Sequence, residues 1–253
     1  HDGSETTTSD SFTYKANDGT SDSNTATATI VITAVNDAPE ASAVNGSGNE
    51  GGTISAILIA TDVDDSDPAG FTFSIISQPI NKIDSVSIGD VSYDSGTFTA
   101  VATYIHDGSE TTSDSFTYKA NDGTDDSNTA TATIAITAVN DAPVAAAVSG
   151  SGAEGGTITT TLTATDVDDS DPTGFTFSIV SQPTNITGSV SIGTVSYALG
   201  TFSAVATYTH DGSETTSDSF TYKANDGATD SNTATATITI TAINDAPLSM
   251  AIN

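Results

Sequence analysis

The chain repeats itself every 104 residues, and this spacing restricts its fold more than any other feature. AVNDAP occurs at residues 34–39 and 138–143, and AINDAP at 242–247. Asn36, Asn140 and Asn244 are 104 residues apart, as are Glu50 and Glu154, and His106 and His210. The step from His1 to His106 is 105 because the first copy reads ETTTSD where the later ones read ETTSD. A period this long belongs to whole domains and exceeds a solenoid turn. The frame is therefore the C-terminal part of one domain (1–39), two complete domains (40–143 and 144–247) and the start of another (248–253). Nothing before His1 corresponds to residues 46–105, and a two-stranded remnant buries too little to stand alone. The expectation is a segment of a longer array. The alternative is a head-to-tail filament in which another chain supplies the absent strands.

Within a repeat the apolar residues recur with period 2, as they do in strands. Residues 53–60 form a near-continuous apolar run suited to a central strand. Phe71, Phe73 and Ile75 alternate with polar residues. Val86 and Ile88 precede a turn at Gly89-Asp90, and residues 91–93 lead to a second turn at Asp94-Ser95-Gly96. Phe98, Ala100, Ala102 and Tyr104 share one strand face. Phe116, Tyr118 and Ala120 share another, before the turn at Asn121-Asp122-Gly123. Residues 128–139 close the repeat with Ala130, Ala132, Ile134 and Ile136 inward and threonines outward. With a short strand near 41–44 this makes about seven strands and no helix. The predicted fold class is all-β: tandem seven-stranded antiparallel sandwiches of immunoglobulin-like type, arranged end to end.

Thirty-three acidic residues oppose four basic ones, Lys15, Lys82, Lys119 and Lys223, for a formal net charge of −29. Such a charge repels nucleic acid and anionic membrane, so neither is an expected partner. The alternating strand patterns, with acids bunched into short loops, argue against disorder. There is no cysteine, hence no disulfide staple, and a divalent cation is the available cross-link. No apolar run is long enough to span a bilayer, and His1 does not open a signal peptide.

The acids fall at the poles of the predicted sandwich. The loop after the second strand (Asp62, Asp64, Asp65, Asp67) and the loop after the sixth (Asn121, Asp122) belong to the pole where the chain enters. Asp107, Glu110 and the segment Asn140-Asp141 belong to the opposite one. With almost no spacer between domains, carboxylates from two neighbours would face each other. Like charges 4 Å apart repel by about 4 kcal/mol at an effective dielectric of 20. Calcium reverses that sign, since it takes six to eight oxygen ligands in flexible geometry. The absence of thiolates and the solitary histidines disfavour zinc and copper.

Glu50-Gly-Gly, ATDVDDSDP, the Thr-rich last strand and VNDAP together resemble the cadherin superfamily in its bacterial cadherin-like form. YIHDGSETTSDSFTYKANDG and its copy are similar to the cadherin-related repeat of chondroitin sulfate proteoglycan ectodomains. The resemblance covers essentially the whole chain, and it implies calcium (Ca2+) ligands at each joint. At the middle joint these are Glu50, Asp107 and Glu110 from the preceding domain, Asn140 and Asp141 from the linker, and Asp166, Asp168 and Asp226 from the following one. The first joint has Asp2, Glu5, Asn36, Asp37, Asp62, Asp64 and Asp122. The third keeps Glu154, Asp211, Glu214, Asn244 and Asp245 without a following domain and should be empty or weak. Ala34, Ala138 and Ala242 replace the family's linker Asp, and HDGSE replaces Asp-Arg-Glu, so one or two ions per joint are expected. Asp65, Asp67, Asp169 and Asp171 are alternates.

The functional expectation is a calcium-rigidified extracellular stalk or filament segment of a bacterial surface adhesin-type repeat protein. Its partners are neighbouring repeats of the same array, or identical chains in a filament. A carbohydrate- or protein-binding module would need an exposed patch that differs between repeats, and the copies are nearly identical. No nucleophile elbow, phosphate loop or cysteine points to catalysis, so no enzyme is expected. The neighbouring Ser, His and Asp of HDGSE share one turn, and proximity in a turn is not a triad. His106 and His210 are expected in turn hydrogen bonds, Lys119 and Lys223 as solvent-facing amines, and Tyr118 and Tyr222 as core or corner tyrosines.

Overall fold

The computed structural model describes residues 7–246, so Asp2, Glu5 and residues 248–253 lie outside the described residues. All regular structure among the described residues is β, in two compact units divided between Val139 and Asn140. The first unit opens with a hairpin, β1 (Ser9–Tyr14) and β2 (Ala26–Val31), paired antiparallel and only to each other. A sandwich follows, built from β3 (Glu40–Ala41), β4 (Val44–Asn49), β5 (Thr53–Thr61), β6 (Thr72–Ser77), β7 (Ser87–Ile88), β8 (Ser92–Asp94), β9 (Thr97–Ile105), β10 (Ser113–Asn121) and β11 (Ala130–Thr137). One sheet runs β6-β10-β11-β4. The other sets β5 against β9, with β3 on the outside of β5 and the short β7 and β8 on β9. With β3 and β4 as two halves of one strand, and β7 and β8 likewise, there are seven strands, as the alternation predicts.

Alternation decides what is inside. Along β9, Phe98, Ala100, Ala102 and Tyr104 are all buried, and β10 and β11 bury Phe116, Tyr118, Ala120, Ala130, Ala132, Ile134 and Ile136. Phe71 stacks on Phe98 with centroids 3.7 Å apart, bridging the two sheets. The apolar run at 53–60 proves to be one-faced. Ile54, Ala56, Leu58 and Ala60 are buried, whereas Ile57 is 56 % exposed, because a strand with a core on one side only has an outer face whatever residue occupies it. The second repeat writes the same strand with threonines at 159, 161 and 163.

The main departure from the sequence reading is β4. VNGSGN carries no apolar alternation, yet it pairs in parallel with β11 over six residues, from Ala132 opposite Val44 to Thr137 opposite Asn49. The sandwich is therefore not wholly antiparallel. Its inner face is made of glycine: a Cβ at Gly48 would lie 2.5 Å from Ile54 Cγ1, and one at Gly46 would lie 3.0 Å from Ile134 Cδ1. The core isoleucines pack directly on this strand's backbone, as strand glycines permit.

The first strand is held by polar groups inside the core. The Tyr118 hydroxyl donates to the Ser42 carbonyl and accepts the Ile59 N–H at 3.2 Å, which fits its expected core position. Asn128 pairs with the backbone of Ala41 through both ends of its amide, at 2.9 Å each.

The second unit repeats the plan with β12 (Val144–Ala145), β13 (Val148–Ala153), β14 (Thr157–Thr165), β15 (Thr176–Ser181), β16 (Ser191–Ile192), β17 (Ser196–Ala198), β18 (Thr201–Thr209), β19 (Ser217–Asn225) and β20 (Ala234–Thr241). Here the sheets stay separate, whereas in the first unit Gly46 bridges to Ala56. The residue equivalent to Ala56 is Thr160, whose hydroxyl donates to the Ser149 carbonyl at 3.1 Å.

Candidate metal centres

Each sandwich has two acidic poles, and local backbone chemistry builds both. At the upstream pole of the first unit the DVDDSDP loop is a succession of Asx turns. Asp62 Oδ1 accepts the N–H groups of Asp64 (2.8 Å) and Asp65 (3.0 Å), Asp65 Oδ1 that of Asp67 (2.9 Å), and Asp67 Oδ1 that of Ala69 (2.9 Å). Aspartate suits such turns because its side chain reaches the backbone two residues on. One oxygen of each carboxylate is spent on the turn, which leaves the other for an external partner.

The linker reaches this pole. The Asp37 N–H donates to Asp64 Oδ2 at 2.5 Å, and Asn36 Nδ2 donates to Asp122 Oδ2 and Asp125 Oδ2 at 3.0 and 3.1 Å. Asn36, Asp37, Asp62, Asp64 and Asp122, predicted from three separate stretches, are thus brought together. Asp125 is an addition that sequence reasoning missed, since the second repeat has Thr229 there and the 104-residue period carries no signal for it. Burial pushes the Asp122 carboxyl up, but the Asp125 N–H, the Asn36 amide and the Thr124 N–H outweigh it, and it titrates below its ordinary value.

The upstream pole of the second unit is the same. Asp166 Oδ1 accepts the Asp168 and Asp169 N–H groups, the Asp141 N–H donates to Asp168 Oδ2 at 2.5 Å, and Asn140 Nδ2 donates to Asp226 Oδ2 at 2.9 Å. Asp169 and Asp171 continue the turn series, as Asp65 and Asp67 do. Burial, opposed by Thr229, Asn140 and Ala228, leaves Asp226 with a lowered pKa.

At the downstream pole of the second unit, carboxylate oxygens of Glu154, Glu214 and Asp245 lie within 4.8 Å of one another. Glu154 is only 7 % exposed, and its Oε2 accepts the Ile243 N–H at 3.2 Å. Two more residues predicted for this set make local bonds that leave an oxygen of each uncommitted. Asp211 closes its own turn on the Ser213 N–H at 2.9 Å, and the Asn244 amide donates to the Asp245 carbonyl at 3.4 Å. In the first unit, oxygens of Glu50 and Glu110 approach within 4.8 Å, and Asp107 closes its turn on Ser109.

Three carboxylate oxygens test what these poles suit. Glu50 Oε2, Asp62 Oδ2 and Asp166 Oδ2 are sealed from solvent with no hydrogen-bond partner. A buried carboxylate oxygen without a donor is costly, and a cation bound to oxygen is the partner that removes the cost. The groups gathered at these poles are carboxylates and a linker amide. That all-oxygen set fits calcium and offers nothing to a thiophilic metal. Both ring nitrogens of His106 and His210 are engaged within the protein, so the histidines are not ligands.

No curated protein sequence matches the chain. Among solved structures, the chain resembles protocadherin gamma B2 extracellular cadherin domains 1–5, with TM-score 0.62 and 18 % identity over 95 % of this chain and 47 % of that one. It also resembles protocadherin gamma B2 domains 3–6, with TM-score 0.56 and 18 % identity over 94 % and 58 %. A third likeness is to the protocadherin gammaB7 EC3–6 cis-dimer structure, with TM-score 0.53 and 17 % identity over 94 % and 59 %. The chain thus spans about half to three-fifths of those structures, and at such identities the likeness is one of fold. The family profile described as Bacterial Ig domain matches twice, over residues 36–135 and 140–241. Both matches start within four residues of an NDAP linker, and together they take in the two sandwiches, so the chain belongs to the bacterial Ig domain family.

Proposed function

We propose that this chain is a segment of an extracellular stalk or filament of a bacterial surface repeat protein, stiffened by calcium at the acidic poles of its sandwiches. The observation that carries the reading is the set of sealed, partnerless carboxylate oxygens at Glu50, Asp62 and Asp166. The likeness of HDGSETTSDSF to the cadherin-related repeat of chondroitin sulfate proteoglycan ectodomains supports a place outside the cell. Calcium there is millimolar, and extracellular modules hold it with Kd of about 0.1–1 mM. The acidic loops recur at equivalent positions in both repeats, which supports a spacer whose partners are its own neighbouring repeats. The test is small-angle scattering of the chain in chelator and in 2 mM calcium. Calcium should extend and narrow the distance distribution, and identical profiles with no heat of calcium binding would sink the proposal.

A second reading, self-assembly into a filament, rests on the β1–β2 hairpin. Phe12 and Tyr14 are 55 % and 53 % exposed, whereas their repeat equivalents Phe116 and Tyr118 are at 1 % and 0 %. In this reading the strands that cover this face, the counterparts of the earlier strands of the repeat, come from a neighbouring chain. Sedimentation at increasing concentration decides: growing mass favours assembly, and constant monomer mass removes it.

A further inference from the structure

One buried imidazole in each unit touches the residue that follows each of three acids at the downstream pole. His210 is 2 % exposed. Its Nδ1 accepts the N–H of Gly155 and the N–H of Gly212, both at 3.1 Å, and its Nε2 lies 2.9 Å from Thr215 Oγ1. Those three residues directly follow Glu154, Asp211 and Glu214. His106 repeats the pattern with Gly51 (3.2 Å), Gly108 (3.1 Å) and Thr111 (2.9 Å), which follow Glu50, Asp107 and Glu110. Since Nδ1 receives two N–H groups it carries no hydrogen, and the ring proton on Nε2 is donated to the threonine hydroxyl.

The two turns meet over this ring through glycines. Gly155 and Gly212 have φ of +64° and +83°, and a Cβ on Gly155 would come within 3.9 Å of Gly212 Cα. Apart from the ring, the main-chain link between the two turns is the His210 N–H to the Gly156 carbonyl at 3.0 Å. The imidazole thus sets the separation of the turn carrying Glu154 from the loop carrying Glu214. The object so positioned fits a cation site in two respects: in the His106 unit Glu50 Oε2 is sealed without a partner, and in the His210 unit Glu154, more than nine-tenths buried with one N–H donor on Oε2, has oxygens within 4.8 Å of those of Glu214 and Asp245.

We infer that His210, and His106 in the other unit, is the positioning residue of the downstream calcium site, acting through three backbone and hydroxyl contacts and never touching the ion. This rests on the calcium reading above. Supporting groups one bond removed from metal ligands commonly change affinity by about 10–100-fold when removed.

The experiment is calorimetric calcium titration of the whole chain as wild type, His210→Ala, Thr215→Val and Thr215→Ser, with circular dichroism in chelator to confirm folding. His210→Ala should weaken one class of site at least 10-fold while the sites of the first unit titrate as before. Thr215→Val should weaken the same class, and Thr215→Ser, which keeps the hydroxyl, should restore it. If His210→Ala unfolds the second unit, the Val and Ser pair decides alone. Folded variants that bind calcium as wild type does would overturn the positioning role and leave the calcium reading standing. A wild-type chain that takes up no calcium would overturn both.

Discussion

Replacing Glu214 by Gln should raise stability in the absence of calcium and forfeit most of the gain that wild type draws from calcium. Oxygens of Glu154, Glu214 and Asp245 lie within 4.8 Å of one another, and two unit charges at that separation repel by about 3.5 kcal/mol at an effective dielectric of 20. The substitution removes two of the three repulsions. Glu214 and Asp245 are exposed, so solvent and salt screen most of this, leaving a gain of about 1–2 kcal/mol in chelator. A domain of about 100 residues moves its midpoint by about 4–8 °C per kcal/mol, so the calcium-free variant should melt several degrees above wild type. In 2 mM calcium, a weak site with Kd of about 1 mM adds about 0.6 kcal/mol to wild type, and the variant forfeits most of that. Differential scanning calorimetry reads both arms. The two wild-type units are alike enough to melt together, so in chelator the variant should split the trace into an unshifted and a raised transition. In calcium the raised component should gain least. A variant that melts below wild type in chelator, or that gains as much from calcium as wild type does, refutes the reasoning.

Gly152→Ala places a Cβ 2.5 Å from Ile158 Cγ1, and overpacking of this kind should lower stability by about 1–3 kcal/mol in a denaturant melt. Tyr222→Phe removes the hydroxyl that donates to the Ala146 carbonyl and accepts the Thr163 N–H at 3.3 Å. Leaving those buried groups unpaired should cost about 1–3 kcal/mol by the same assay. Burial pushes Asp218 up, but the N–H groups of Asn185, Ser219 and Thr184 and the Tyr208 hydroxyl hold it below its ordinary value. A carboxyl lowered by folding contributes stability that is present above its unfolded pKa of about 3.9 and is lost as pH falls through its folded value. Asp218→Asn should therefore lower stability at pH 7 and flatten the acid limb below about pH 4; an acid limb as steep as wild type's would count against it.

How much of this was legible depended on whether a residue announces its environment by its side chain. Phe98, Tyr104, Phe116 and Tyr118 did, and their strands fall where the alternation predicts. The Asp94-Ser95-Gly96 turn did also, with Ser95 and Gly96 at φ of +50° and +86°. β4 did not, because what it offers the core is the absence of a side chain at Gly46 and Gly48, and a Gly-rich stretch reads as a loop unless its packing partner is known. The run at 53–60 misled in the other direction: Ile57 is apolar without being inside. At the upstream poles, the sequence pointed to Asp62, Asp64 and Asp122 with the linker Asn36 and Asp37, but not to how each acid divides its oxygens. Asp107 and Asp211 spend one on their own turns, and the wiring of His106 and His210 joins positions up to 55 residues apart.

The lone hairpin has a consequence for how such a chain reaches its folded state. Residues 9–20 read the same as 113–124, SDSFTYKANDGT in both, so β1–β2 is chemically interchangeable with β10–β11 along most of its first strand and its turn. During refolding β1–β2 can take the place of β10–β11 against β6 and β4, and β19–β20 against β15 and β13 offers a further exchange of the same kind. Tandem repeats are prone to this kind of misassembly between domains, and near-identity removes the discrimination that diverged neighbours would have. A ribosome that releases one repeat at a time separates the competitors in time; a denatured chain diluted into buffer does not.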